Sequence, residues 1–210
     1  MGQLRSAGMR ALPVVARGDE YVAGIDLEKV AALLGLTYDA TPLLSPAQLI
    51  SRYERVLSAA ARHVAQIPDA RLSDKLPHRD RSYLTLVNHL VQIAADFLKI
   101  ADGADFAGRL AESVPRENLD VAGLRERVAE LKQALESWLA QATDADYQRS
   151  VNAYFGEQTL HQVLERAVWH SAQHARQLMM VLEMLAIVPE RPLVPADFRG
   201  LPMPQDVWDG

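Results

Sequence analysis

No glycine or proline interrupts the stretch from Thr159 to Ile187, "TLHQVLERAVWHSAQHARQLMMVLEMLAI", so it can run as one long helix. Thr159 and Gln162 make a capping box at its start. Within it His170 and His174 stand four residues apart. Positions at that spacing differ by about 40° around a helix, so both imidazoles project from one side. With His170 at zero and about 100° per residue, Val163 and Val181 fall at about 20°, Ala167 at about 60° and Leu178 at about 80°. Gln162, Glu165, Arg166, Gln173, Arg176 and Glu183 gather mostly on the other side. The pair therefore lies on the apolar line. Buried imidazoles without partners are costly, so these two should be bonded to something.

Three more helices are expected upstream. Ser45 precedes a 3.6-residue stripe of Leu49, Ile50, Tyr53, Val56, Leu57, Ala60 and Val64. A polar loop, "PDARLSDKLPHRDRS", ends at Ser82, a good N-cap for an apolar helix from Tyr83 to about Ala101. Asp120 caps "VAGLRERVAELKQALESWLA", whose charges give it a solvated face. "YQRSVNAYFGEQ" reads as a longer, extended connection, and the Pro-rich "PERPLVPADFRGLPMPQDVW" as a tail running over the surface. Before the bundle, "ALPVVARGDEYVAG" holds two short β-like runs around Arg17-Gly18-Asp19-Glu20, and Asp26 can cap a short helix that stops at Gly35. A piece of about 35 residues cannot hold its own core and must dock on something. The expected fold is mainly α: a ββα appendage over 1–36, a linker over 37–44, and a four-helix bundle with its tail over 45–210.

Charge and composition narrow the function. The 210 residues carry a net charge of −5 with dispersed Lys and Arg, so no basic stripe suggests a nucleic-acid partner. No uninterrupted apolar run approaches the roughly 18 residues that cross a membrane. The absence of cysteine removes disulfides, thiolate ligands and a cysteine nucleophile. A soluble cytoplasmic protein is the plain expectation.

Six histidines are present: His63, His78, His89, His161, His170 and His174. On the second bundle helix His89 shares a polar seam with Thr85, Gln92 and Asp96, a seam that helical amphipathicity alone also explains. His161 is about 180° from His170 and cannot join the pair. The HxxxH spacing lacks the glutamate of HExxH zincins. A third inward histidine would complete a three-nitrogen site with open positions, as in catalytic metals. Residue spacing alone does not say that His89 supplies it.

The run from about Pro42 to Trp208 resembles the DinB-like superfamily of metal-binding four-helix bundles, which includes thiol-dependent S-transferases. The resemblance rests on "SYLTLVNHLVQIAADFL", on the Thr159–Ile187 stretch and on "GLPMPQDVW". In that family one histidine comes from the second helix and two, spaced HxxxH, from the last, which implies His89, His170 and His174 as ligands. Gln92, Asp96 and Gln177 could orient an imidazole N–H. The segment "LRSAGMRALPVVARGDEYVAGIDLEKVAALLGL" is similar to the latter half of a glutaredoxin. That likeness implies a cis-proline at Pro13, a strand edge near Leu12 for a thiol cofactor's backbone, and a glutathione-carboxylate turn at Gly24 and Asp26. The CxxC half is missing, and without a thiolate no thiol–disulfide exchange is open to this chain.

The resemblance implies a low-molecular-weight thiol attacking an electrophile, or a related isomerisation, at a divalent metal. Zinc is the first choice for three imidazoles, with nickel, iron and manganese as further candidates. Two other readings stand beside it: a metal that only stabilises the bundle, and an N-terminal piece that packs across a homodimer. An exposed apolar face on the Leu27, Val30, Ala31, Leu34 helix would favour the dimer. Metal affinity should fall as pH drops through the histidine range near ~6.5.

Overall fold

A computed structural model of the chain describes residues 14–24, 27–39, 41–77, 79–104, 117–153 and 156–207. In chain order these form strands β1 (Val14–Arg17) and β2 (Glu20–Ala23) and helices α1 (Leu27–Leu34) and α2 (Pro46–Val64). A 3-10 turn (Asp69–Arg71) leads to α3 (Tyr83–Ala101), α4 (Val121–Gln141) and the short α5 (Asp144–Gln148). Strands β3 (Ser150–Ala153) and β4 (Gly156–Thr159), α6 (Leu160–Met184) and α7 (Pro195–Phe198) complete the order.

The long helices begin where the sequence supplies acceptors for their first N–H groups. The Ser45 hydroxyl accepts from Gln48 N, the Gln48 side chain accepts from Ser45 N, and Pro46 occupies the first turn. Ser82 caps α3 through Thr85 N, Asp120 caps α4 through Gly123 N, and Thr159 with Gln162 forms the box that starts α6. Helix α6 stops at Met184, short of the expected Ile187. Ala186 turns into the left-handed region at φ +57°, and the Ile187 N–H donates back to Leu182 O at 2.8 Å.

Helix α6 packs most extensively against α2 and α3, and α4 closes the opposite side against the same two. The ring order is therefore α6–α2–α4–α3, which leaves the consecutive helices α2 and α3 on a diagonal. Simple up-down bundles with short loops instead put consecutive helices side by side. Tyr53 and Leu57 of α2, Leu86 and Phe97 of α3, Leu124 and Leu135 of α4 and Leu164 of α6 are fully buried between them. By length and composition α3 could cross a membrane, a correction to the expectation drawn from run length; most of it is buried inside the bundle.

The connection expected to be extended holds α5 and an antiparallel hairpin, with Ser150 opposite Thr159 and Ala153 opposite Gly156. Arg149 beside it donates to Ile100 O and Ala101 O, both at 2.9 Å, closing the C-terminal end of α3. In the N-terminal piece β1 pairs antiparallel with β2 through a turn with Gly18 at φ +63°. Arg17 donates to Leu33 O at 2.7 Å, tying that hairpin to α1. Ala31 is buried, while Leu27 and Leu34 are 52% and 42% exposed. The following linker lies along α6, where His161 Nε2 bonds Leu44 O at 2.9 Å. Gly24 sits in the turn after β2. Leu12, Pro13 and Asp26, with the cis bond expected before Pro13, lie outside the described residues.

Candidate metal centre

His89 projects from α3 and His170 and His174 from α6, across one of the tightest helix pairs of the bundle. The ring centroids are 5.6 Å apart for His89 and His170, 5.1 Å for His89 and His174, and 4.7 Å for His170 and His174. One nitrogen of each ring lies within 4.8 Å of the other two, a spacing that could hold a metal ion. Among the described residues, no Asp, Glu or further His joins the three as a ligand. His89 and His174 are buried, and His170 is partly open at the rim.

Two nitrogens in this cluster, His89 Nδ1 and His174 Nε2, are buried with no hydrogen-bond partner. Lone pairs left unmatched in a core are costly unless something else takes them. The other nitrogen of His174 is engaged: Nδ1–H donates to Gln177 Oε1 at 2.9 Å. The Gln177 amide in turn donates to Val207 O at 3.1 Å. Gln92 and Asp96 line a recess between α3 and α4, where Asp96 pairs with Lys99 at 3.8 Å.

Electrostatics keep the rings neutral. Burial pushes His89 down to about 3, helped by His174 and Arg81. Burial brings His174 to about 4, against the opposing pull of its Gln177 bond and with help from Arg81 and Arg79. His170 falls well below its ordinary value through burial, then His174, His89, Arg166 and Arg81. Neutral imidazole is the form that ligates a metal, so the residues fit a divalent cation. Arg166 lies over the Trp169 ring at 5.3 Å, and that ring is 5.8 Å from His170. Beyond the mutual influence of the three rings, the charges that act on the cluster among the described residues are the guanidinium groups of Arg79, Arg81 and Arg166.

Two of the other histidines, His63 and His161, serve the chain trace. His63 is fully buried and its Nε2 bonds Glu190 O at 3.1 Å, pinning the tail to α2, while His161 holds the linker. His78 lies outside the described residues. Several supporting residues carry no signal of their own in the sequence. Tyr53 and Ser171 share a buried hydroxyl bond of 3.1 Å across α2 and α6. Asn88, next to His89, bonds Leu84 O, Leu119 O and Leu119 N at 3.1, 2.9 and 2.8 Å, latching the segment before α4. Arg81 is half-buried just ahead of the α3 cap, in what reads along the chain as a polar loop.

No curated protein matches the chain. Among solved structures it is similar to YfiT from Bacillus subtilis, described as a probable metal-dependent hydrolase with an unusual four-helix bundle topology. The superposition has a TM-score of 0.55 at 19% identity and covers 72% of this chain and 95% of YfiT. At that identity the likeness speaks for the fold. The DinB superfamily model matches residues 52–178, which span the helices that carry all three histidines, and the chain therefore belongs to the DinB superfamily.

Proposed function

We propose that the protein is a divalent-metal-dependent transferase or isomerase that uses a low-molecular-weight thiol as nucleophile. Zinc is the first candidate, with nickel, iron and manganese also compatible with three imidazoles. The observation that carries this reading is the pair of buried, unpartnered nitrogens, His89 Nδ1 and His174 Nε2, in a cluster where three histidines, among the described residues, could serve as ligands. Three ligands suit a site that leaves positions open to substrate, whereas structural sites are closed by a fourth. A divalent cation there would supply Lewis acidity that favours the thiolate form of a bound thiol at neutral pH. His89, His170 and His174 present neutral lone pairs, and Gln177 holds one ring in register. Arg79, Arg81 and Arg166 give the surroundings a positive field, which attracts a thiolate or a carboxylate-bearing substrate. The sulfur must come from the small molecule, because the chain has no cysteine.

The test measures metal content of the purified protein, then consumption of a haloalkane probe with glutathione, with coenzyme A and without thiol. Thiol-dependent turnover that disappears in His89→Ala supports the reading. Turnover of an ester probe without thiol would make water the nucleophile instead and overturn the transferase assignment.

Exposed Leu27 and Leu34, with Leu36 63% and Tyr38 46% exposed beside them, favour a second reading in which the N-terminal piece packs on another copy of the chain. Light scattering distinguishes it: a dimer that dissociates in Leu27→Glu/Leu34→Glu supports the contact, and an unmodified chain that elutes as a monomer removes it.

A further inference from the structure

The segment after α6 is laced back over the bundle. Along α2, Gln66 bonds Val188 O and Glu190 N, Arg62 and His63 bond Glu190 O, Arg55 pairs with Asp197 at 3.0 Å, and Arg52 reaches Arg199 O. The chain turns at Gly200, φ +86°, hard against Leu44, and crosses to α6. There Arg176 donates to Pro204 O at 2.8 Å and Gln205 O at 3.1 Å. Gln173 donates to Asp206 O at 3.0 Å and Val207 O at 2.6 Å, and Gln177 adds a second donor to Val207 O. Among the described residues, the acceptors that the tail offers to these three α6 side chains are thus backbone carbonyls, and all three side chains lie within two turns of His174.

A carbonyl can only accept. Val207 O therefore fixes which end of the Gln177 amide faces the tail, and so which end faces His174. With Oε1 toward the ring, neutral His174 must carry its proton on Nδ1 and its lone pair on Nε2, the nitrogen that is buried and unpartnered. A reversed amide would offer N–H to Nδ1 and put the proton on Nε2, where it would block ligation.

We propose that the segment Pro204–Val207 sets the tautomer of His174 through Gln177, which makes Gln177 a positioning residue and the tail a working part of the metal centre. The effect on affinity rests on the metal reading above; the tautomer does not.

The experiment uses the full chain. Long-range proton–nitrogen NMR on the metal-free protein at pH 7.5 reads the His174 tautomer, and competition with a chromophoric chelator reads Zn2+ affinity. The unsubstituted protein should show Nδ1–H. Gln177→Leu, and Gln173→Leu/Arg176→Leu with Gln177 kept, should each mix the tautomers and weaken Zn2+ binding about 10–100-fold. Combining all three should add little to Gln177→Leu alone. Gln177→Glu keeps an acceptor toward the ring, so it should keep the Nδ1–H tautomer, and it guards against variants that fail to fold. A proton on Nε2 in the unsubstituted protein overturns the proposal. So does an unchanged tautomer in the tail variant when limited proteolysis shows the tail released. A protein with the expected tautomers but no Zn2+ uptake would remove the metal reading and leave the relay standing.

Discussion

A histidine held neutral inside a protein makes the fold sensitive to acid. His63, His89, His170 and His174 all have folded-state values below the ordinary histidine value, burial being the first cause in each. The unfolded chain protonates such rings near pH ~6.5, while the folded chain does not until about 4 for His174 and about 3 for His89. The unfolded state thus binds more protons across that window, so stability of the metal-free protein is full above pH ~6.5 and is lost as pH falls below it. Urea midpoints at pH 7.5 and 5 should show the loss, up to about 2 kcal/mol for each ring that stays neutral at pH 5. A flat profile would contradict the burial of these rings. On the metal reading, the same burial would move the loss of metal affinity below the pH ~6.5 expected from model imidazoles, so a chelator-sensitive gain in melting temperature should persist at pH 5. Beside the cluster, Asn88→Leu removes both sides of the Leu119 latch and leaves its N–H and carbonyl unmatched, at a cost of about 2–3 kcal/mol by urea unfolding. Spacing on an apolar line makes His170 and His174 legible in the sequence. His89 is not legible in the same way, since its polar seam is also what a solvated helix face looks like. Val207 O carries no sequence signal at all, because any residue could supply that carbonyl.

At the scale of elements, two turns show where the chain departs from its easiest backbone. Ala186 adopts φ +57° after α6, a left-handed position that helices ending this way usually give to glycine. Ala186→Gly should therefore stabilise the protein by about 0.5–1 kcal/mol despite the added freedom of the unfolded chain, read as a higher urea midpoint. The reverse holds at Gly200. Its φ of +86° is strained for any side chain, and a Cβ there would stand 2.7 Å from Leu44 Cδ2. Gly200→Ala should cost about 2 kcal/mol and expose the tail to protease. The four long helices are legible because each begins with a side chain that caps it and continues as an apolar stripe. The hairpin of β3 and β4 is not legible, since "SVNA" and "GEQT" offer neither alternation nor β-branched density. Its register joins Ser150 to Thr159, the residue that also caps α6, so the pairing is anchored by the helix start rather than by strand propensity.

For the whole molecule the order α6–α2–α4–α3 was hidden, since apolar stripes show that helices bury a face and not which neighbour they choose. That arrangement has a kinetic meaning. The packing of α2 on α6 brings together residues as far apart as Tyr53 and Ser171, 118 positions along the chain. Closing such a loop, against the roughly 30-residue loops of helical hairpins, costs about 1.2 kcal/mol of chain entropy, or about tenfold in rate. Refolding followed by stopped-flow fluorescence of the tryptophans should accordingly run slower than the microsecond-to-millisecond range of local helical bundles. The three histidines share this dependence, because His89 meets the others only after α3 has docked on α6. Zn2+ added during refolding finds no preformed clamp and should leave the folding rate nearly unchanged. Once the clamp has closed, the same ion should act on the opposite arm of the chevron and lengthen the native lifetime. Such a protein would be slow to become a metalloprotein and slower still to stop being one.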